Sequence, residues 1–420
     1  MVTSNQERRT LRARHGVLLL GIATLAASCA AQAGDFGVLG DAVRASKLII
    51  DARLRLEDVD QEPFADQADA LTLRSRLGFE TGKAWQTALL VEGEFVWPLV
   101  TDYNSTINGK TAYPTVSDPR SHEINRLQLT NTALVQTTVT LGRQRINLDD
   151  QRFIGNSGWR QNEQTFDSLQ VVNKSVPNLT LDAAYITQVN RVLGPDSPQG
   201  RYQGDSYLGN VSYQLPVGRL TVFGYWLQFD PIAAVPAAVR DSSETLGVRF
   251  AGEKPWHEFK LAYAASYAEQ QQYGANPLRF DNHYSLLELT GTYRMWSLGV
   301  GSETLAGNGV KGFTTPLASL HKFQGWADKF TVTPADGIVD RYLTAGISAQ
   351  RFGWIDAWSA QANYHAYQAQ RVSLDYGTEV GVQLQGKWHR FTGNVKYAHY
   401  TADRLLTDTS KFWVQLEYQW

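Results

Sequence analysis

The sequence predicts an all-β chain: a transmembrane antiparallel β-barrel of about 18 strands, with short periplasmic turns and long extracellular loops. Three observations predict it. Apolar and polar residues alternate with period two along most of the chain. The alternating segments run about 9–11 residues, the length that crosses a bilayer when tilted. The chain ends on an alternating strand closed by an aromatic residue, Trp420.

The alternation starts early. Ile50, Ala52, Leu54 and Leu56 alternate with Asp51, Arg53, Arg55 and Glu57. Leu71, Leu73, Ser75, Leu77 and Phe79 then alternate with Thr72, Arg74, Arg76, Gly78 and Glu80. In the last strand Phe412, Val414, Leu416, Tyr418 and Trp420 form one face and Lys411, Trp413, Gln415, Glu417 and Gln419 the other. A period of two assigns each set to one face of a strand.

Turn signals divide the chain into strands near 47–57, 70–80, 85–97, 123–131, 133–145, 166–173, 179–189, 206–215 and 219–229. The second half continues with 243–251, 258–268, 283–293, 296–303, 341–350, 357–367, 378–386, 390–400 and 411–420. An even number lets the last strand pair antiparallel with the first, leaving no edge in the bilayer. Connections alternate in length: 215–218, 293–296, 351–356 and 386–390 are short, while 98–122, 146–165, 190–205 and 304–340 are long. Trp256, Trp296, Trp354 and Trp388 all fall on the short-turn side, where an aromatic girdle would sit.

Composition agrees. Mean hydropathy is −0.31, too low for a bundle of membrane helices, yet the chain carries 19 Tyr, 17 Phe and 12 Trp. Residues 1–33 read as a cleaved signal peptide: Arg8, Arg9, Arg12 and Arg14 precede a short apolar run, and Ala31 and Ala33 frame a small-x-small site. A lipoprotein signal ending at Cys29 and a twin-arginine route through Arg8 and Arg9 fit their motifs less well. Cleavage after Ala33 removes the only cysteine and leaves 35 basic against 40 acidic residues, a balance without the footprint of a nucleic-acid partner. Residues 34–420 then read as one barrel domain.

The stretch from Gly142 and Arg143 through Asp149, Asp150, Gly155, Gly158 and Trp159 to Gln161 resembles the signature of the alginate export porin family, continued by Gln164, Thr165, Phe166 and Asp167. A second block, His321-Lys322-Phe323-Gln324-Gly325-Trp326-Ala327-Asp328-Lys329-Phe330, followed by Thr333, Pro334 and Gly337, is also similar to that family. The resemblance implies an 18-stranded outer-membrane barrel related to an exporter of an anionic polysaccharide. One departure matters. The family's exporter occludes its pore partly with a long turn between its sixteenth and seventeenth strands, and here that turn is only 386–390. This favours a more open channel for smaller solutes.

Face assignment supplies the candidate site. Arg53, Arg55, Arg74 and Arg76 share the polar face of the first two strands, Arg126 and Lys411 join the same wall, and Asp51, Glu57, Glu80, Glu92 and Glu94 supply an acidic lining. Arginine on the lipid face costs roughly 2–4 kcal/mol near the midplane, so the lumen is the expected place. A guanidinium holds a carboxylate by two parallel hydrogen bonds, which suits anionic or sugar-acid solutes; equally, these arginines serve to neutralise the neighbouring acids. Arg143, Arg145, Arg152 and Arg160 lie at the outer end of the fifth strand and in its loop. Strict alternation turns Arg143 toward lipid, so either Gly142 marks a β-bulge that resets the register or Arg143 stands above the hydrocarbon. The loop at 146–165 either folds inward as a constriction or merely packs.

No nucleophile–base constellation or metal-ligand spacing stands out, and Asp149 with Asp150 reads most simply as a solvated loop pair. The expectation is therefore a passive channel for hydrophilic, anionic or sugar-acid solutes or polysaccharide, without cofactor or metal. Its expected partners are outer-membrane lipid and lipopolysaccharide, the barrel-assembly machinery through the last strand, and a small anionic or carbohydrate solute. An alginate-type exporter and a structural or enzymatic barrel are the alternatives.

Overall fold

The computed structural model describes residues 37–232, 235 and 237–420, so the expected signal peptide at 1–33 lies outside the described residues. A short helix, α1 (Val38–Arg44), leads into β1 (Lys47–Gln61), β2 (Ala68–Glu80), β3 (Thr87–Asp102), β4 (Ser121–Asn131), β5 (Thr137–Gln144) and β6 (Thr165–Asn173). Next come β7 (Leu179–Asn190), β8 (Arg201–Leu215), β9 (Gly218–Leu227), β10 (Ser243–Trp256), β11 (Phe259–Gln272) and β12 (Asp281–Tyr293). The last third is β13 (Trp296–Leu305), β14 (Ile338–Phe352), β15 (Ile355–Gln368), β16 (Asp375–Trp388), β17 (Phe391–Ala402) and β18 (Thr409–Gln419).

Each strand pairs antiparallel with its sequence neighbours, and β1 closes on β18 in register from Asp51 opposite Gln419 to Gln61 opposite Thr409. No edge is left, so every ladder donor and acceptor is met inside the sheet. The fold is thus the closed 18-stranded antiparallel barrel that the alternation predicted.

Several strands run further than expected at the long-loop end. β3 reaches Asp102, β8 starts at Arg201 and β14 at Ile338. Beyond the hydrocarbon a ladder still gains hydrogen bonds, but its outward residues meet water and stop being apolar, so the alternation fades before the strand does. β5 is shorter than expected, because the Thr137 amide bonds back to Leu134 and Gln136 takes a positive φ.

Side chains follow the pleat. Leu127, Leu141, Val222, Leu384 and Leu416 point outward and are exposed, an arrangement that water would penalise and lipid welcomes. The six rim tryptophans Trp85, Trp256, Trp296, Trp354, Trp388 and Trp420 are exposed at the short-turn end. The α1 helix sits at that end too, its Ala42 carbonyl accepting the Gly82 amide of the β2–β3 turn.

The interior has two halves. On the β6–β13 side Phe166, Ile186, Phe223, Tyr225 and Tyr284 pack against Ile146 and Ile154 of loop 145–164 and Phe313 and Leu317 of loop 306–337. Burying this apolar face, at roughly 25 cal/mol per Å², pulls both loops into the barrel and against one wall. The β14–β3 side carries most of the buried charged and amide side chains, beside a smaller aromatic group of Tyr367, Tyr376 and Tyr400 around Phe330 of loop 306–337.

This topology predicts a labelling pattern. A single cysteine placed in 191–200 should react with an impermeant maleimide on intact cells, while one at Val217 should react only after the outer membrane is opened. Labelling of Val217Cys on intact cells would reverse the orientation of every strand.

Candidate channel constriction

Loop 145–164 leaves β5 at Gln144 and is tied at its base, where Arg145 meets Glu163 at 2.5 Å. It then forms a short parallel bridge with loop 306–337, Ile154 beside Leu317, with the Gly155 amide on the Leu317 carbonyl at 2.8 Å. Gly155 is required by this close approach, since a Cβ would strike the Ser319 hydroxyl and Gln151. Gly325 is required for a second reason. Its φ is +79°, and a Cβ would strike Glu379 and Tyr367 of the wall. The two sequence blocks that carried the family resemblance are thus the two loops that knit together inside the barrel.

The arginines of the first two strands hold this plug. Arg53 Nη1 donates to the carbonyls of Gly158 at 3.0 Å, Trp159 at 3.1 Å and Arg160 at 3.3 Å, and its Nη2 to Glu417 at 3.2 Å. Arg55 donates to the Trp159 carbonyl and to Gln415, and its guanidinium lies 4.3 Å over the Trp159 ring. Arg74 pairs with Asp51 and with Glu417 at 2.9 Å, while Arg76 pairs with Glu94 and with Glu163 at 3.4 Å. All four side chains are nearly inaccessible to solvent.

None of these four arginines borders the open cavity beside the loops. Asp51, Glu57, Glu92 and Glu94 do not form a separate acidic wall either. Glu92 accepts a forked pair from Arg126 at 2.9 and 2.6 Å, and Glu57 takes Arg160 at 3.2 Å. Desolvated carboxylates and guanidiniums cost several kcal/mol each unless paired, so they interleave. Glu80 sits exposed at the short-turn end, opposite Lys47.

Two loop arginines anchor and one faces the opening. Arg152 is buried against Glu303 at 2.6 Å, with Thr315 and Gln324 completing its fork. Arg145 closes the loop base. Arg160 spans Glu57 and, at 2.7 Å, Asp328 of the other loop. Arg143 corrects the sequence expectation of a pore-lining residue. The β4–β5 register runs without a shift across Gly142, so no bulge resets it. Arg143 stays on the outward face with Leu141 and Leu127, clamped to Asp167 at 2.7 and 2.9 Å. Asp149 and Asp150 are likewise tied to the wall, by Asn210 at 2.9 Å and Arg249 at 3.0 Å.

Between the knitted loops and the β15–β18 wall lies a cavity of about 1060 Å³. Its charged lining is Arg160, Arg191, Lys322, Lys329, Lys396 and Lys411 against one carboxylate, Asp328. Two of these cations, Arg160 and Lys411, were candidates from the sequence. Lys396 was not singled out, although alternation places it on the inner face between outward Val395 and Tyr397. Its ammonium lies 3.8 Å over Trp159 and 4.4 Å over Trp326 and donates to His321 Nε2 at 3.1 Å. His321 stacks on Trp159 at 4.2 Å, and its Nδ1–H donates to Asp328 at 2.8 Å.

Electrostatics fix this network in one protonation state. Burial pushes the His321 imidazole down to about 3, with Lys396 and Arg160 outweighing part of the help from Asp328. Although burial alone would raise it, His321, Lys411 and Arg160 hold the Asp328 carboxyl well below the usual range. His321 is thus neutral and bridges a cation to an anion.

Two predictions follow from the seating of the loops. Removing Arg53 or Arg55 strips the Gly158–Arg160 carbonyls of donors worth about 1.5–3 kcal/mol each. Arg53→Ala with Arg55→Ala should raise single-channel conductance and current noise, whereas Arg143→Ala should leave both unchanged; an unaltered double variant would refute the anchoring. The second concerns pH. A released His321 regains an ordinary value near ~6.5, so the released loop binds more protons than the docked one below that pH. Docking is fully favoured above about 6.5 and weakens as pH falls toward 3, by about 2 kcal/mol at pH 5 relative to pH 7. Current noise should therefore rise from pH 7 to pH 5, and His321→Asn should flatten that rise. A wild-type record independent of pH would rule this out.

Comparison with known proteins fits the barrel. Pseudomonas aeruginosa OccK9 (OpdG) superposes with a TM-score of 0.68 at 14% identity, covering 90% of this chain and 98% of its own. P. aeruginosa OpdK, solved with vanillate, gives 0.65 at 14% identity over 89% and 98%. Acinetobacter baumannii OccAB4 gives 0.66 at 12% identity over 90% and 98%. At such identities the likeness is one of fold. No curated protein matches the sequence. The family model described as alginate export matches residues 83–276, from β3 through β11, and so the resemblance carried by the block beginning at Gly142 is shown over that stretch.

Proposed function

We propose that the chain is a passive outer-membrane channel for hydrophilic anionic solutes of the sugar-acid or small-carboxylate class. The observation that carries this reading is the cavity lining, six cations against one carboxylate. Low-dielectric walls focus such a field on a passing ion. Lys396 and Lys411 offer charge to a carboxylate from the wall, and Lys322 and Lys329 from the loop. The half-buried rings of Trp159 and Trp326 line the cavity and give a ring or sugar face something apolar to slide along. Arg53, Arg55, Arg74 and Arg76 position the constriction, with Glu417, Asp118, Asp51, Glu94 and Glu163 as their counter-charges, while Glu57 and Glu92 serve Arg160 and Arg126. That one similar barrel, OpdK, was solved with vanillate, a carboxylate, supports the class of solute.

The second reading, export of an alginate-like polyanion, rests on the family match. Two features favour smaller solutes. The β16–β17 connection is only His389 and Arg390, and loops 145–164 and 306–337 pack inside the barrel. In the proposed setting residues 1–33 are removed on export, and β18 with its terminal aromatic addresses the barrel-assembly machinery.

Bilayer recordings under a salt gradient test the reading. The wild type should conduct ohmically with anion preference, and Lys322→Glu with Lys329→Glu should move the reversal potential toward cations. The difference should shrink at 1 M salt, where the Debye length is about 3 Å. Cation preference in the wild type, or no current at all, would overturn the proposal.

A further inference from the structure

Lys396 belongs to a row of inward side chains that crosses three strands. Its position on β17 pairs with Gln383 of β16, and Gln383 pairs with Gln361 of β15. Exposed Val395, Val382 and Tyr364 hold the outward faces of these strands, so the row points into the barrel. All three residues line the cavity beside the loops. Neighbouring strands lie about 4.8 Å apart, which sets the two amides about 5 and 10 Å from Lys396 across the sheet. Two residues beyond Gln383 stands Gly381, where a Cβ would strike the indole of Trp326. The ring therefore lies against the wall at the head of the row.

The fold leaves these amides largely unused. Gln361 makes no side-chain hydrogen bond among the described residues, and Gln383 gives only its Nε2 to Gln385, at 3.3 Å. In the next row toward the short turns Asn394 is buried, and its Oδ1 has no partner among the described residues. Buried polar atoms are nearly always paired, so the open capacity is available to a polar partner from the lumen. Charge, by contrast, stops at Lys396. Toward the short turns the inward faces of β15–β17 carry Ser359, Gln361, Gln383, Gln385, Asn394 and Thr392, with no charged residue before Lys387 at the rim. An ammonium has three donors, and His321 takes one of those of Lys396.

We propose that Lys396, Gln383 and Gln361 select polyhydroxylated carboxylates, sugar acids of the aldonate type, over alkyl and aromatic carboxylates. The inference rests on the anion passage proposed above and narrows its solute. The carboxylate accepts from Lys396 and from Lys411 on the next strand, and hydroxyls along the carbon chain meet amides that both donate and accept. An alkyl or aromatic carboxylate engages the cations but covers the amides without pairing them. A site built to hydrogen-bond a hydroxyl disfavours the analogue that lacks it. A neutral polyol meets the amides and offers Lys396 no charge. The indole of Trp326 gives the C–H edges of the chain an apolar surface.

The test uses the full mature barrel in planar bilayers bathed in potassium chloride, with gluconate, hexanoate and sorbitol as probes. Gluconate and hexanoate share charge and carbon count, and sorbitol shares the hydroxyls. The concentration dependence of current block gives an apparent affinity for each. In the wild type gluconate should bind about tenfold more tightly than either of the others. Gln361→Met with Gln383→Met keeps side-chain length and removes the amides. It should erase the gluconate advantage and leave hexanoate block and anion preference unchanged. Heat-modifiable migration on gels confirms that each variant is a folded barrel, and Gln361→Met alone should cost gluconate about threefold if the pair fails to assemble. Equal block by gluconate and hexanoate, or a gluconate advantage that survives the loss of both amides, overturns the selection. Anion preference of the wild type would then still leave the channel reading standing. Block by sorbitol as strong as by gluconate overturns the role of Lys396. Cation preference of the wild type overturns the selection and the channel reading together.

Discussion

The grip of Arg53 and Arg55 on the carbonyls of residues 158–160 is the interaction on which the constriction depends. A loop entering a barrel brings backbone acceptors away from water, and each needs a donor. A guanidinium offers five donors in a fixed plane, so one arginine satisfies several carbonyls at once. The same geometry ties up the charge. Arg53 is left with Glu417, Arg74 with Asp51 and Glu417, and Arg76 with Glu94 and Glu163. A wall that reads as strongly basic is electrically near balance, and in the proposed channel it acts on permeation only through the loop that it holds.

That seating divides the lumen by solvent. The β6–β13 half is closed by aromatic packing around Phe153, which meets Phe223 at 5.0 Å and Tyr284 at 5.2 Å. The open cavity lies on the other side, and its cations stand on four separate supports, Arg191 of loop 191–200 being one. Lys396 and Lys411 come from the wall, Arg160 from the first loop, and Lys322 and Lys329 from the second. Asp328 joins them by accepting from Arg160, His321 and Lys411. One carboxylate thus holds the two loops and the wall together while leaving the surplus positive charge facing the cavity.

The strands were legible because a bilayer and a water-filled lumen impose opposite demands on alternate residues, and β18 shows both faces without interruption. The outward face of Arg143 was legible for the same reason, once Gly142 proved to keep register. Strand ends were less so, since Arg201 to Asp205 carry no apolar alternation outside the hydrocarbon. The role of Arg53 and Arg55 was hidden more deeply. Their face follows from period two, but whether that face meets water or a folded loop depends on the pairing of Ile154 with Leu317, far apart in sequence. Lys396 had the right face and no neighbouring basic residue to draw attention to it. Only the stacking of Trp159 and His321 from two loops makes it part of the site.

The resemblance blocks gain a physical meaning from this arrangement. Gly155 and Gly325 are places where a side chain would separate loop from loop or loop from wall, and Trp159 and His321 meet where the loops close on Lys396. A constriction built from two loops depends on such crossing points, where a side chain added at Gly155 or Gly325 would strike the facing loop or wall. The short-turn end carries no comparable loop, its connections at 216–217, 294–295 and 389–390 being only two residues long. In the proposed channel, selection among solutes therefore falls to the long-loop half of the barrel, where the cavity and its cations lie.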